Sequence, residues 1–250
     1  MLTVYFLKYG PDPERLADAL FPLLSQERRR KASLLSHPAR RAESVLAGRL
    51  FEKYASRISG VSPADFAYEY GKNGKPFLSF PARFPAFSIS HTEGAACVVF
   101  SGGAAIPCGC DTEPAAREFS AAAGSRAIAS RFFSPREAAL LENAPDETEL
   151  FLKVFTAKEA HAKMTGKGIF EEISLDVLKS AEPLVFDAGD GSSFFQTVYK
   201  GYVISVCAGK DAAGKEMCTV KGADGSAECY NKIAVPVVFT EVDASTLARD

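Results

Sequence analysis

Three short stretches of the chain carry side chains that could do chemistry. The first is Gly109-Cys110-Asp111-Thr112-Glu113. Its two acids stand two apart, and in an extended segment that spacing turns both carboxylates to one face. Convergent carboxylates repel unless a cation bridges them, and hard oxygen donors suit Mg²⁺. A solvent-facing acidic pair has the same spelling. The second stretch runs from Phe151 to Gly168. In it Phe151, Phe155, Glu159 and Lys163 follow one another at i+4 and share one helix face. An apolar stripe that turns into an acid and a base is unusual for a packing face, although an exposed Glu-Lys pair is the plainer alternative. The third is Ser90-His91, at the end of a strand beside small and polar residues. That histidine is either structural or, with the other motifs near it, phosphate-facing. His37 and His161 have no such setting.

A basic run supports the anion reading. Between Ser25 and Arg57 stand Arg28, Arg29, Arg30, Lys31, Arg40, Arg41, Arg49, Lys53 and Arg57, opposed only by Glu27, Glu43 and Glu52. Local basicity in a balanced protein suggests a specific anionic ligand, the alternative being a solvated helix face.

The elements that must position these groups are legible. Ser25 before Gln26-Glu27-Arg28 reads as a helix cap, and a longer helix is expected over 39–59, ended by Gly60. Strands follow at Phe66–Tyr70, Phe87–His91, Ala95–Phe100 and Pro107–Glu113, with a turn at Gly71–Pro76. A second cycle begins at Ser134-Pro135-Arg136-Glu137, a capping pattern, and continues with a helix over 147–165 ended by Gly166. Strands recur at Ile173–Leu178, Phe194–Tyr199 and Tyr202–Ala208. Ala96–Gly102 resembles Val203–Gly209 at nearly the offset that separates the two caps. The expectation is an α+β protein of two similar halves, 1–105 and 106–250, with a ligand between them. Residues 210–232 read as a mobile insertion, and Ile233–Phe239 as an added edge strand.

Composition narrows the classes. With 47% hydrophobic and 24% charged residues in 250, the chain has ordinary globular usage. A net charge of −2 argues against a general nucleic-acid binder. No apolar run reaches membrane-spanning length. The opening residues Met1–Leu7 read as a first strand and not as a signal peptide. Six cysteines, at 97, 108, 110, 207, 218 and 229, lack zinc or disulfide spacing and are expected as reduced thiols of a cytoplasmic protein.

Taken together, Leu24–Lys31, Gly74-Lys75-Pro76, Ser88–His91, Gly109–Glu113, Phe132–Glu137 and Phe155–Gly168 resemble the Sfp-type 4'-phosphopantetheinyl transferases in order and spacing, across about residues 1–209. The pairing of G-x-D-x-E with K-E-A-x-x-K is the specific part. Phe155 stands where the family usually has Trp, Cys110 and Thr112 where aliphatics are usual, and Thr92 where Ser is usual.

The resemblance implies a pseudo-two-fold α+β fold with the active site between the halves. It implies transfer of phosphopantetheine from coenzyme A to a serine of an acyl or peptidyl carrier protein, with Mg²⁺, releasing 3',5'-ADP. Asp111, Glu113 and Glu159 would hold Mg²⁺. Glu159 would also accept the serine proton, and Lys163 would neutralise the leaving pyrophosphate with Lys158 assisting. Arg28, Lys31, Lys75, Ser90 and His91 would bind coenzyme A phosphates, with Ser44 and Arg40 or Arg41 near them. A working monomer is expected. Two other readings share these residues: a silent coenzyme A or nucleotide-binding module, and a Mg²⁺-dependent coenzyme A pyrophosphohydrolase.

Overall fold

The computed structural model describes residues 1–102, 106–116, 123–172, 175–181, 184–209, 220–222 and 237–249. Its first half contains β1 (Leu2–Lys8), α1 (Pro13–Leu20), α2 (Gln26–Ser33), α3 (Pro38–Ser59), β2 (Ala67–Tyr70), β3 (Pro76–Phe80), β4 (Phe87–Thr92) and β5 (Ala95–Ser101). The second contains β6 (Cys108–Pro114), α4 (Ala123–Phe132), α5 (Pro135–Glu142), α6 (Glu147–Thr165), β7 (Leu178–Ser180), β8 (Val185–Phe186), β9 (Ser193–Tyr199) and β10 (Tyr202–Ala208). Both halves therefore run strand, three helices, small hairpin, large hairpin. Their pairing repeats too: β1 lies against β5 of the β4–β5 hairpin, and β6 against β10 of the β9–β10 hairpin.

Local chemistry sets the element ends. The Ser25 hydroxyl accepts from the Arg28 amide, and Ser134 forms a reciprocal capping box with Glu137. The long helices α3 and α6 each stop at a glycine in the left-handed region, Gly60 at φ 70° and Gly166 at φ 72°.

Period-two alternation builds the layers. Leu7, Ala96, Val98 and Phe100 face α3, whereas Leu2, Val4, Phe6, Cys97 and Val99 face the other way, toward Cys108, Cys110, Ile204 and Val206 of the second sheet. That sheet's far side, with Phe194, Val203 and Cys207, packs on α6 through Phe151, Val154 and Ala160. The order is helices, sheet, sheet, helix, with an apolar seam between the sheets.

The chain then returns to its first half, which departs from the expected division at 106. β12 (Val237–Val242) pairs in parallel with β1, and β11 (Val220–Gly222) pairs with β12. Val242 and Leu247 join the core beneath α3, where Arg49 Nε donates to the Leu247 carbonyl at 2.8 Å. The reason is apolar burial: β1 offers a free edge, and Val237, Phe239 and Val242 cover it. β12 is thus flanked by β11 and is not the edge. The expected insertion at 210–232 otherwise lies outside the described residues. The expected strand at Ile173–Leu178 is displaced: residues 173–174 lie outside the described set, and β7 begins at Leu178. The four described cysteines, Cys97, Cys108, Cys110 and Cys207, are buried, and none is joined to another of the four by a disulfide. Among the described residues no helix is long and apolar enough to cross a membrane.

Candidate active site

A cavity of about 300 Å³ opens between the halves. The first half lines it with Arg28, Ser44, the turn Asn73–Pro76, Phe87–Ile89 and His91. The second adds Glu159, Lys163, Gly166, Gly168 and Ile169.

Gly109 explains how the acids reach α6. A Cβ there would collide with the Ala160 carbonyl and the Met164 amide, so only glycine lets β6 lie directly on the helix. Two residues on, Asp111 meets Lys163: Nζ lies 2.6 Å from Oδ1. Ser90 completes the group. Its hydroxyl donates to the same Oδ1 at 2.8 Å and accepts from Lys163 Nζ at 3.1 Å and from the Thr112 amide at 3.3 Å. Ser88 does the same one step back, accepting from the Cys110 amide at 3.2 Å. Two serine hydroxyls thus stand in for strand carbonyls along the seam between β4 and β6. Glu113 accepts from Thr92 Oγ1 at 3.2 Å.

The charges are interdependent. Burial raises the Glu159 carboxyl above the usual range, Asp111 and Glu113 add to this, and Lys163 opposes it. Burial alone would lower Lys163, but Asp111, with Cys110 and Glu159, holds its ammonium above the usual range. Oδ2 of Asp111 is buried without a hydrogen-bond partner. That orphaned oxygen and the crowding of acids are what a hard cation would relieve, so the residues fit Mg²⁺ in kind. They are not assembled as a ligand shell: among the described residues, no three His, Cys, Asp or Glu side chains gather closely enough to hold a metal. Of the expected trio Asp111, Glu113 and Glu159, Asp111 is engaged here by Lys163 and Ser90, and Glu113 by Thr92.

On the opposite wall the Arg28 guanidinium sits between two rings, 5.3 Å from the centre of Phe51 and 5.5 Å from that of Tyr68. Its Nε and Nη2 are buried without hydrogen-bond partners. Glu52, fully buried, fixes the base of this wall by accepting from the Ser25 amide at 3.0 Å and from Tyr68 Oη at 2.8 Å. His91 lines the cavity with its Nδ1 3.3 Å from Glu43 Oε2.

Four expected ligands do not meet the cavity as foreseen. Ser90 does not line it, because its hydroxyl is taken up by Asp111, Lys163 and the Thr112 amide between β4 and β6. Lys158 is 2% exposed and points into the second half, where its Nζ lies 2.9 Å from Glu137 Oε2 and also bonds the Leu175 carbonyl. It is next to Glu159 in sequence, but one residue is about 100° of helix, which turns Lys158 away from the cavity. Lys31 does not line the cavity; its ammonium sits 4.3 Å over the Tyr70 ring. Lys75 lines the wall, yet its Nζ bonds the Met164 carbonyl at 2.6 Å and the Cys108 carbonyl at 3.2 Å. With Asn73, which donates to the Gly166 and Lys167 carbonyls at 3.1 and 2.6 Å, it ties the β2–β3 turn to the end of α6. The Met164 carbonyl is one of those that a helix end leaves unsatisfied, and the Cys108 carbonyl belongs to β6. Of the further expected residues, Ser44 lines the cavity, whereas Arg40 pairs with Glu43 at 3.1 Å and Arg41 stacks on Phe21. Phe155 packs as an aromatic, stacked on Phe151 at 5.5 Å.

Sequence reasoning missed Glu43, Ser88 and Asn73. Asn73 had a signal, the Asn-Gly turn, which marks geometry and not a partner. Ser88 lies in the Ser88–His91 stretch, which does not reveal its partner, and Glu43 had no signal, since each acts on a residue far away in the chain.

Comparisons with known proteins agree on one family. The family model described as the 4'-phosphopantetheinyl transferase superfamily matches residues 107–207. The 4'-phosphopantetheinyl transferase HetI of Nostoc sp. (strain PCC 7120) is 29% identical over 192 residues, covering 74% of this chain and 78% of that protein. The L-aminoadipate-semialdehyde dehydrogenase-phosphopantetheinyl transferase of Eremothecium gossypii is 32% identical over 145 residues, covering 56% of this chain and about half, 51%, of its own length. A solved holo-(acyl-carrier-protein) synthase from Bacillus anthracis str. Ames, in complex with CoA (3',5'-ADP), is 22% identical. It covers 39% of this chain and 90% of its own, at a TM-score of 0.30, too slight a likeness to bear on the fold. The family model falls on β6 through β10, the half that carries Asp111, Glu159 and Lys163, and over that half the chain is similar to the 4'-phosphopantetheinyl transferases.

Proposed function

We propose that this protein transfers the 4'-phosphopantetheine arm of coenzyme A to a serine of an acyl or peptidyl carrier protein, releasing 3',5'-ADP, in the cavity between its two halves. The repeated order of elements supports reading those halves as related by a pseudo-two-fold. The observation that carries the function is the division of the cavity: on one wall His91 and an Arg28 guanidinium with two buried nitrogens that lack hydrogen-bond partners, on the other Glu159 and Lys163, whose ammonium is paired with Asp111. Attack of a hydroxyl on a phosphate asks mainly for positioning and neutralisation of charge. Arg28 and His91 hold the nucleotide phosphates, His91 the 3'-phosphate. Glu159, its carboxyl raised by burial, accepts the proton of the attacking serine. Lys163 stabilises negative charge on the departing group. Mg²⁺ would be held by Asp111, Glu113 and Glu159, and when bound it supplies neutralisation of the pyrophosphate.

Incubation with coenzyme A, Mg²⁺ and a panel of apo carrier proteins, read by intact mass, tests this. A phosphopantetheine adduct on a carrier is the expected result. Phosphopantetheine released without any carrier would favour a pyrophosphohydrolase, and binding without turnover a silent module.

A further inference from the structure

Glu43 sits where a carboxylate is least expected, beneath a wall read as anion-binding. Its side chain is 8% exposed and does not line the cavity, although Ser44, the next residue on α3, does. A buried acid near bound phosphate would weaken binding unless it serves the cations around it. Two side chains converge on one of its oxygens: the Arg40 guanidinium through Nη1 at 3.1 Å and the His91 ring through Nδ1 at 3.3 Å, both on Oε2. Burial raises the Glu43 carboxyl, yet His91 and Arg40 outweigh it and hold it below the usual range, so it is ionised.

An ionised carboxylate accepts hydrogen bonds and donates none. Nδ1 of His91 must therefore carry a proton toward Glu43, and Nε2 is the nitrogen left for the cavity that the ring lines. His91 is also held from its other side in sequence. The Thr92 carbonyl accepts from Tyr9 Oη, and the Ser90 hydroxyl is committed to Asp111. The residues on either side of the ring are anchored, and Glu43 supplies a contact that fixes the ring itself.

We propose that Glu43 is a positioning residue for phosphate recognition: it orients His91, through Nδ1–H, so that Nε2–H donates to the coenzyme A 3'-phosphate. This rests on the assignment of His91 to that phosphate in the proposed function. Glu43 touches no ligand and acts only through His91.

Calorimetric titration of the full chain with coenzyme A and with dephospho-coenzyme A, which lacks the 3'-phosphate, tests it. Glu43→Ala is expected to weaken coenzyme A by about tenfold while leaving dephospho-coenzyme A within about twofold, the scale of one charge-assisted hydrogen bond. A general loss of structure would weaken both alike. In a His91→Ala background, Glu43→Ala should change the ratio of the two affinities no further. Glu43→Gln keeps the shape and supplies the comparison should the alanine variant unfold. An unchanged ratio, or tighter coenzyme A, on changing Glu43 while His91→Ala still collapses the ratio would overturn the proposal alone. An unchanged ratio in His91→Ala would overturn the assignment of His91 itself, and the proposal with it.

Discussion

The Lys163 ammonium lies 2.6 Å from Asp111 Oδ1, and this pair joins the helix of the second half to the strand that leads into it. Asp111 keeps its other oxygen buried and without a partner. A divalent cation bound there would shift the balance among Asp111, Glu113 and Glu159, and would do so best with a pyrophosphate to complete its shell. Coenzyme A and Mg²⁺ are therefore expected to bind with positive coupling, each tightening the other by roughly five- to a hundredfold. Asp111→Ala should lower transfer by about 10²-fold or more. Equal coenzyme A affinity with and without Mg²⁺, and transfer that survives excess EDTA, would return the acids to a structural role.

Glu159→Gln should reduce transfer by roughly 10²–10⁴ while leaving the fold intact. The amide keeps the size but accepts no proton. It also relieves crowding with Asp111 and Glu113, so the melting temperature is expected to hold or rise. Activity within about threefold of the unsubstituted protein would remove Glu159 from the role of base.

Lys75 bonds two backbone carbonyls, and its removal should show as stability before it shows as affinity. Lys75→Met leaves the Met164 and Cys108 carbonyls unsatisfied, at a cost of about 1–3 kcal/mol. In a chain of this size each kcal/mol lowers the melting temperature by roughly 2–4 °C. A melt that does not move, together with weakened coenzyme A, would show instead that the ammonium leaves its carbonyls to serve the ligand.

The α2 helix is held to the β2–β3 hairpin by an acid with a visible pH signature. Glu27 accepts from Arg30 and from Tyr70 Oη at 2.7 Å, and these bonds, Arg30 foremost, hold its carboxyl at about 2 against an ordinary 4.5. Because the folded protein lowers this value, the stabilisation is complete above the ordinary value and disappears as pH falls toward 2. Glu27→Gln should thus melt below the unsubstituted protein near neutral pH, by on the order of 1 kcal/mol since Arg30 is more than half exposed. The two curves should converge in acid, and a gap that widened there would contradict the assignment.

Much of the architecture is local and was legible without coordinates. The caps Ser25 and Ser134, the stops Gly60 and Gly166, and the period-two strands on either side of Ile106 depend on near neighbours, so their residue types announce them. The spacing of Asp111 with Glu113, and of Glu159 with Lys163, follows in the same way from the strand and helix repeats. Tertiary structure decided how those groups share their charges. Lys158 and Glu159 are neighbours in the chain, yet one reaches Glu137 in the second half's core and the other the cavity, a division set by which face of α6 meets a sheet. Gly109 admits α6 so closely that Lys163 takes the near oxygen of Asp111. Lys75 finds one partner in β6, 33 positions on, and another at the end of a helix, 89 positions on, and Glu43 finds His91 across 48. β12 closes the first sheet because β1 left an apolar edge that only a distant segment could cover. Such contacts depend on separations in space that the chain order does not encode, and they decide which of the charged side chains are available to a ligand.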